Sequence, residues 1–272
     1  MRTVSLSRRA LLRASAASAA AALAAACSPS QSAGPTVARA GGSGPPASGS
    51  AAESPAPSSA ASSSTGTAAS VVRHSVEVRH GPRTSHKVAL TFHGAGDSAL
   101  AETLLGRLEA RKVQATVMAV GTWLQAEPAM AKRILRGGHD LGNHTLHHYP
   151  MRGLSAASAN AEVEGGARAL RRTSGSRGTF FRASGTQVTT PTIRSAAARA
   201  GYDRCISYDV DGLDWQDPSS ATVVRAVLDG AQGGSIISLH LGHHVTISAL
   251  PGILSGLTKA GLRPVTLTEL LA

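Results

Sequence analysis

Two histidines in the stretch GNHTLHHYP, His144 and His148, stand four residues apart. On one helical turn that spacing turns both imidazoles to one face, where they can grip a single divalent ion. Neutral imidazole suits zinc, iron, nickel or cobalt. Alone, such a pair reads equally well as a solvated turn, so its neighbours decide. His93 and Asp97 lie in HGAGD, directly after the apolar run VALTF. Arg182 is near the end of GTFFRA, Asp209, Asp211, Asp214 and Trp215 cluster in SYDVDGLDW, and His240 closes GSIISLH. Imidazoles, carboxylates and an arginine are the residue types that ion-assisted hydrolysis with acid–base help requires.

These residues need a common scaffold. From residue 86, strand-like runs alternate with helical segments: VALTF (88–92), QATVMAV (114–120), DLGNH (140–144), GTFFRA (178–183), RCISYDV (204–210), GSIISLH (234–240) and RPVTL (263–267). Such alternation implies parallel strands joined by right-handed crossovers, and seven units suggest a barrel more than an open sheet. Every polar residue named above follows or ends a strand. That is the rim where parallel α/β folds assemble their sites. No Gly-x-Gly-x-x-Gly fingerprint or phosphate loop is present, which disfavours nucleotide binding.

The first 27 residues read as an export signal. Arg2, Arg8, Arg9 and Arg13 precede an alanine-rich run too short to span a bilayer comfortably. Ser7-Arg8-Arg9-Ala10-Leu11-Leu12 fits a twin-arginine address, and Cys27 after Leu23-Ala24-Ala25-Ala26 resembles a lipoprotein processing site. Residues 28–72 are dominated by Ser, Ala, Gly and Pro. They bury too little apolar surface to offset ordering entropy, so a disordered tether is expected. Residues 73–272 suffice for one domain with its own core. Of the two cysteines, Cys205 has no partner if Cys27 is lipidated, and reads as an inert core residue. The formal charge of +11 is spread out, without a basic run interleaved with aromatics. It fits solubility or attraction to an anionic envelope polymer, and nucleic acid is excluded as a partner.

The ordered segments resemble the polysaccharide deacetylase family (the NodB homology domain, carbohydrate esterase family four). HKVALTF matches the family's first strand, GHDLGNHTLHH its second motif, GTFFRASG its third, ISYDVDGLDW its fourth and GSIISLH its fifth. The resemblance covers about residues 86–272. It implies a distorted (β/α) barrel and metal-dependent removal of N-acetyl or O-acetyl groups from a glycan. By position, His144 and His148 would bind the metal, with zinc first and cobalt, nickel or iron as alternatives. His240 would be the general acid and Trp215 would wall the acetyl pocket. Arg182 and Asp214 would orient and tune the acid and base.

The first motif departs from the pattern. The family carries Thr-Phe-Asp-Asp-Gly, with a base and then a metal ligand; this chain has Thr91-Phe92-His93-Gly94-Ala95. Three readings stay open. His93 is the base, with Asp97 or a water completing the metal shell. Or His93 is a third nitrogen ligand. Or the site is degenerate and the domain binds glycan without hydrolysing it. An Arg182 close to His93 would depress its pKa and keep it neutral. Hydrolysis of a small non-peptide amide is a further alternative.

The remaining candidates have plainer expectations. His147, His243, His244, His74, His80 and His86 are expected in solvent. Asp209 and Asp211 should brace the loop after the fifth run, or one of them should line the groove. Glu162 and Glu164 read as the solvated face of a helix. Together these features predict an exported monomer, either a lipoprotein on the outer face of the cytoplasmic membrane or secreted. It would act on acetylated peptidoglycan or a chitin-like glycan and touch the membrane only through a lipid.

Overall fold

A computed structural model describes residues 75–272; the expected signal segment, Cys27, the tether and His74 lie outside the described residues. A short strand β1 (Val76–Val78) precedes the expected first strand, β2 (Lys87–Gly94). There follow α1 (Ser98–Ala110), β3 (Thr116–Ala119), α2 (Gly121–Ala126), α3 (Pro128–Arg136) and β4 (Asp140–Asn143). Next come α4 (Ala156–Ser174), α5 (Pro191–Arg199), β5 (Arg204–Ile206), β6 (Val210–Asp211) and α6 (Ser220–Gly230). The chain closes with β7 (Ile236–His240), α7 (His244–Lys259), β8 (Arg263–Val265) and α8 (Leu267–Leu270).

All pairings between these strands are parallel. One sheet runs β4-β3-β2-β7-β6 with β8 also on β2, and β1 pairs with β5. Phe181 stitches the two, bridging Asn143 on one side and Cys205 on the other; His80 bridges to Ser235. The result is the expected barrel with a distorted wall between β4 and β5.

Two expected strands need correction there. GTFFRA is not a strand, since only Phe181 forms bridges. Gly178 and Gly185 both sit at positive φ, 77° and 64°, and bend the run at either end. At Gly178 the backbone passes so near β4 that a Cβ would stand 2.6 Å from the Leu141 carbonyl oxygen. RCISYDV is two strands rather than one, because the chain changes partners midway. Ser207 N donates to Val78 O, whereas Asp209 N donates to Ile236 O.

Side chains along the central strands alternate between two environments. Leu90 and Phe92 of β2, Ile237 and Leu239 of β7 and Val210 of β6 face outward. They pack with Leu104 and Leu108 of α1, Val227 of α6 and Ile253 of α7. Each fully buried side chain of this kind contributes about 1.5–3 kcal/mol. The alternate residues face the barrel interior. At the amino end they are apolar, with Ala89, Ile236 and Val265 in one cluster. Toward the carboxyl end they become polar. Register pairs Thr91 with Ser238, His93 with His240, and Asp211 with Ser238. Residues paired in a parallel ladder share a face, so these polar side chains emerge together at one rim. Cys205 is buried, and burial pushes its thiol up to about 12, which leaves it inert. Among the described residues no helix is long and apolar enough to cross a membrane.

Helix α4 lies tightly on the loop after β4. A Cβ at Gly166 would stand 2.2 Å from Asn143 Oδ1 and 2.9 Å from the Thr145 backbone, whereas one at Gly106 in α1 would meet nothing within 4 Å. Gly166→Ala should therefore cost about 1–3 kcal/mol, and Gly106→Ala should gain about 0.5–1 kcal/mol. Urea unfolding followed by circular dichroism checks both signs. Unchanged stability in Gly166→Ala would refute the close approach of α4.

Candidate functional site

The segment 144–148 is not a helical turn, which corrects the geometry expected for the histidine pair. Strand β4 ends at Asn143 and the chain enters an irregular loop. Thr145 and His148 have φ of 70° and 65°, a region that costs a non-glycine residue energy. Local bonds hold the loop there. Asn143 Oδ1 accepts from Thr145 N at 2.9 Å, Thr145 Oγ1 lies 3.1 Å from Ser184 Oγ, and His148 N donates to Thr145 Oγ1 at 3.2 Å. The product is an approach of 3.1 Å between His144 Nε2 and His148 Nε2.

The proton positions on His144 follow from its partners. Its Nδ1 lies 2.9 Å from the Arg182 carbonyl oxygen, which can only accept. Nδ1 therefore carries the hydrogen. Burial, and then the neighbouring His148, hold this imidazole well below its usual range, so Nε2 keeps its lone pair. His93, from the end of β2, completes the group. Its ring centroid is 4.2 Å from that of His144, and one nitrogen from each of His93, His144 and His148 lies within 4.8 Å of the others. Burial foremost, then His144, His240, Arg182 and His148, depress the His93 pKa strongly; burial and His240 lower that of His148. Two bare nitrogens in near contact repel unless a proton or a cation lies between them. This donor set fits a divalent ion of the zinc type.

A second pair stands beside this group. His240 lies 4.5 Å from His93 between ring centroids, and its Nδ1 is 2.8 Å from Asp214 Oδ1. Asp214 is fully buried in a 3-10 turn (Asp214–Gln216), and its Oδ2 also accepts from His240 N at 2.8 Å and Thr246 Oγ1 at 2.5 Å. Three donors thus converge on an acceptor-only group. They orient the imidazole and leave its Nε2 free to exchange a proton.

Both assemblies open on one cleft of about 660 Å³, a size suited to a small ligand or one sugar unit. Trp215, half exposed, and Tyr208 form part of its wall. Arg182 lies beneath, buried, with Nε and Nη2 donating to the carbonyls of Ile206 and Ser207, each at 3.1 Å. Its Nη1 has no hydrogen-bond partner, and no carboxylate pairs with it among the described residues. Burial lowers its pKa to about 10, while Tyr208 and Asp211 act in the opposite direction. Asp97 lies apart from the three-nitrogen group. It is exposed and caps α1, with Oδ1 accepting from Ala99 N at 2.7 Å.

Several participants escaped sequence reasoning. Glu162 is buried, not on a solvated face. Its Oε2 accepts from Leu146 N and His147 N at 3.1 and 2.9 Å, and Oε1 is 2.7 Å from His147 Nδ1. The signal was available, because Ala159, Val163, Gly166 and Leu170 form a buried stripe at helical spacing and Glu162 falls within it. His147 is exposed as expected, with its Nδ1 tied to Glu162. His243 lines the cleft with Nδ1 2.8 Å from Asp217 Oδ1, while His80, His86, His244 and Glu164 are exposed as expected. Asp209 braces its loop, accepting from Arg83, Ser235 Oγ and Ile236 N, and Asp211 lines the cleft.

Known proteins share this architecture. The model of the polysaccharide deacetylase family matches residues 80–205. A peptidoglycan-N-acetylglucosamine deacetylase of Bacillus cereus is 30% identical over 194 residues, covering 70% of this chain and 90% of that protein. The Listeria monocytogenes protein PgdA, of the same description, is 28% identical over 198 residues, and this chain spans 72% of its own length but 41% of that relative. A Bacillus anthracis structure described as a pseudoenzyme of carbohydrate esterase family four superposes with a TM-score of 0.68 at 23% identity, over 72% of this chain and 69% of that one, a likeness of fold. With the matched motifs lying at the strand ends that build the cleft, the chain belongs to the polysaccharide deacetylase family.

Proposed function

We propose that this protein is an exported, metal-dependent hydrolase that removes acetyl groups, N-linked first and O-linked as the alternative, from peptidoglycan or a chitin-like glycan. One observation carries the reading: His93, His148 and His240 line the same cleft, with buried His144 grouped with the first two and buried Asp214 bonded to the third. The names of the relatives support the substrate class. Export through a twin-arginine signal, lipidation at Cys27 and a tether over 28–72 belong to the same proposal.

His144, His148 and His93 would hold the ion, zinc first, with cobalt, nickel or iron as alternatives. Such an ion supplies Lewis acidity toward the acetyl carbonyl and toward the attacking water. The chain's own residues do the rest. Arg182 fixes His144 through its carbonyl, so that Nε2 points inward with its lone pair. Asp214 holds His240 with Nδ1 as donor and steadies the imidazolium. His240 Nε2 then delivers a proton to the leaving nitrogen. Trp215, exposed at the rim, offers a face for the acetyl group and sugar.

A second reading has an observation of its own. His93-Gly94 replaces the two carboxylates of the first motif, and the Bacillus anthracis neighbour is described as a pseudoenzyme. A glycan-binding module would retain glycan without releasing acetate, and chelator would not affect it.

The purified chain loaded with zinc, cobalt or nickel should release acetate from chitooligosaccharides or peptidoglycan fragments, and chelation should abolish the release. Silence with all three metals on both substrates would overturn the hydrolase reading. In variants, metal content separates the roles. His144→Ala and His93→Ala should lose bound metal and turnover together. His240→Gln should keep its metal while kcat falls by about 10²–10⁴-fold. A His93→Ala protein that retains full metal would return His93 to the role of base.

The neutral imidazoles also make stability depend on pH. Unfolded histidine takes up a proton near pH ~6.5, which the folded His93, His144 and His148 resist. Below that pH the unfolded state binds more protons, so stability is lost as pH falls, by up to about 1.4 kcal/mol per unit for each of His93 and His144 and by less for the exposed His148. The thermal midpoint of metal-stripped protein should drop between about pH 7 and about pH 5. A level midpoint across that window would contradict the neutral packing.

A further inference from the structure

The reaction proposed above needs a group to take the proton of the attacking water, and the first motif does not supply a carboxylate for it. His93 contributes its nitrogen to the three-imidazole group. The other acids near the site are engaged elsewhere. Asp97 caps α1, Asp209 accepts three bonds in its own loop, and both Asp214 oxygens serve His240 and Thr246. Asp211 is the one acid that lines the cleft.

Its placement follows from strand register. Asp211 stands opposite Ser238, and Ser238 opposite Thr91, so all three face the barrel interior beside His93. Adjacent strands lie about 4.8 Å apart, which sets the spacing of the Asp211 and Ser238 backbones. Ser238 Oγ in turn approaches His93 Nε2 at 3.5 Å. Oδ1 of Asp211 accepts from Leu213 N at 2.9 Å, and Oδ2 has no hydrogen-bond partner among the described residues. Asp211 also lies near enough to the unpaired Arg182 guanidinium to act on it electrostatically. A buried cation without a carboxylate at its expected place is thus balanced from the neighbouring strand.

The geometry points to Asp211 as the carboxylate that accepts the proton of the attacking water, a role transferred from the end of β2 to the end of β6. This rests on the deacetylase reading. The water oxygen bonds to the acetyl carbon as its proton passes to Asp211. His240 protonates the nitrogen as the C–N bond breaks, giving a free amine and acetic acid, which then loses its remaining proton to solvent as acetate. The proton on Asp211 then leaves to solvent while His240 takes one up.

The structural alternative is that Asp211 only shapes the turn through its bond to Leu213 N, which places Leu213 at φ 54° ahead of Asp214 and Trp215. Asparagine keeps that acceptor and removes the charge. On zinc-loaded full-length protein with a chitooligosaccharide, Asp211→Asn should lower kcat by about 10²–10⁴-fold. KM should stay within about threefold, and zinc content and zinc affinity should stay at the wild-type level. Added formate should restore part of the turnover of Asp211→Ala and none of that of His240→Ala. Wild-type turnover in Asp211→Asn would overturn the assignment while leaving the deacetylase reading intact. Loss of zinc together with turnover would overturn it too, making Asp211 a structural or ligating residue. A wild-type chain silent on all substrates would bring down the deacetylase reading and this assignment with it.

Discussion

The approach of His144 Nε2 to His148 Nε2, 3.1 Å, is the constraint around which the site is organised. With the His144 hydrogen on Nδ1, its Nε2 offers a lone pair to His148, and burial makes charging the His144 ring costly. The arrangement is held from outside. Thr145 and His148 adopt left-handed backbone conformations that an unsupported loop would leave. Asn143, Ser184 and Glu162 fasten that loop, and α4 presses Gly166 against it. The surrounding fold thus holds two imidazole nitrogens within reach of one proton or one ion.

The same rim is reached by other routes because the strands are parallel and in register. Along β2, β7 and β6 the outward residues are aliphatic or aromatic and belong to the helix-packed core. Inward residues pass from Ala89 and Ile236 through Thr91 and Ser238 to His93 and His240. One periodicity therefore provides both the hydrophobic stabilisation and the gradient of polarity ending in the cleft. The cost of burying polar side chains is met locally. Thr91 Oγ1 donates to Ile237 O at 2.6 Å, and Asp214 receives three donors.

With His93 and Gly94 at the end of β2, where the family resemblance implies two carboxylates, that strand end brings no negative charge to the cleft. A set of three neutral imidazoles adds no negative charge to a bound ion, and the buried Arg182 adds positive charge beside it. Asp211, on the next strand but one, is the acid that lines the cleft among the described residues.

Much of this could be read along the chain. The alternation of apolar runs and helices determined a parallel barrel, and polar residues at strand ends determined which rim carries the site. Local composition suffices for both, because burial on two faces and helix amphipathicity leave periodic marks. Other features were decided in three dimensions. GTFFRA has strand-like composition, yet Gly178 and Gly185 turn it away from the ladder. His144 and His148 have helical spacing and meet instead through a strained loop. Asp97 looked free to reach an ion and is spent on a helix cap, whereas Glu162 looked solvated and anchors the loop that carries His144 and His148. In each case the outcome depended on which distant backbone group lay within hydrogen-bond reach, and spacing along the chain does not encode that proximity.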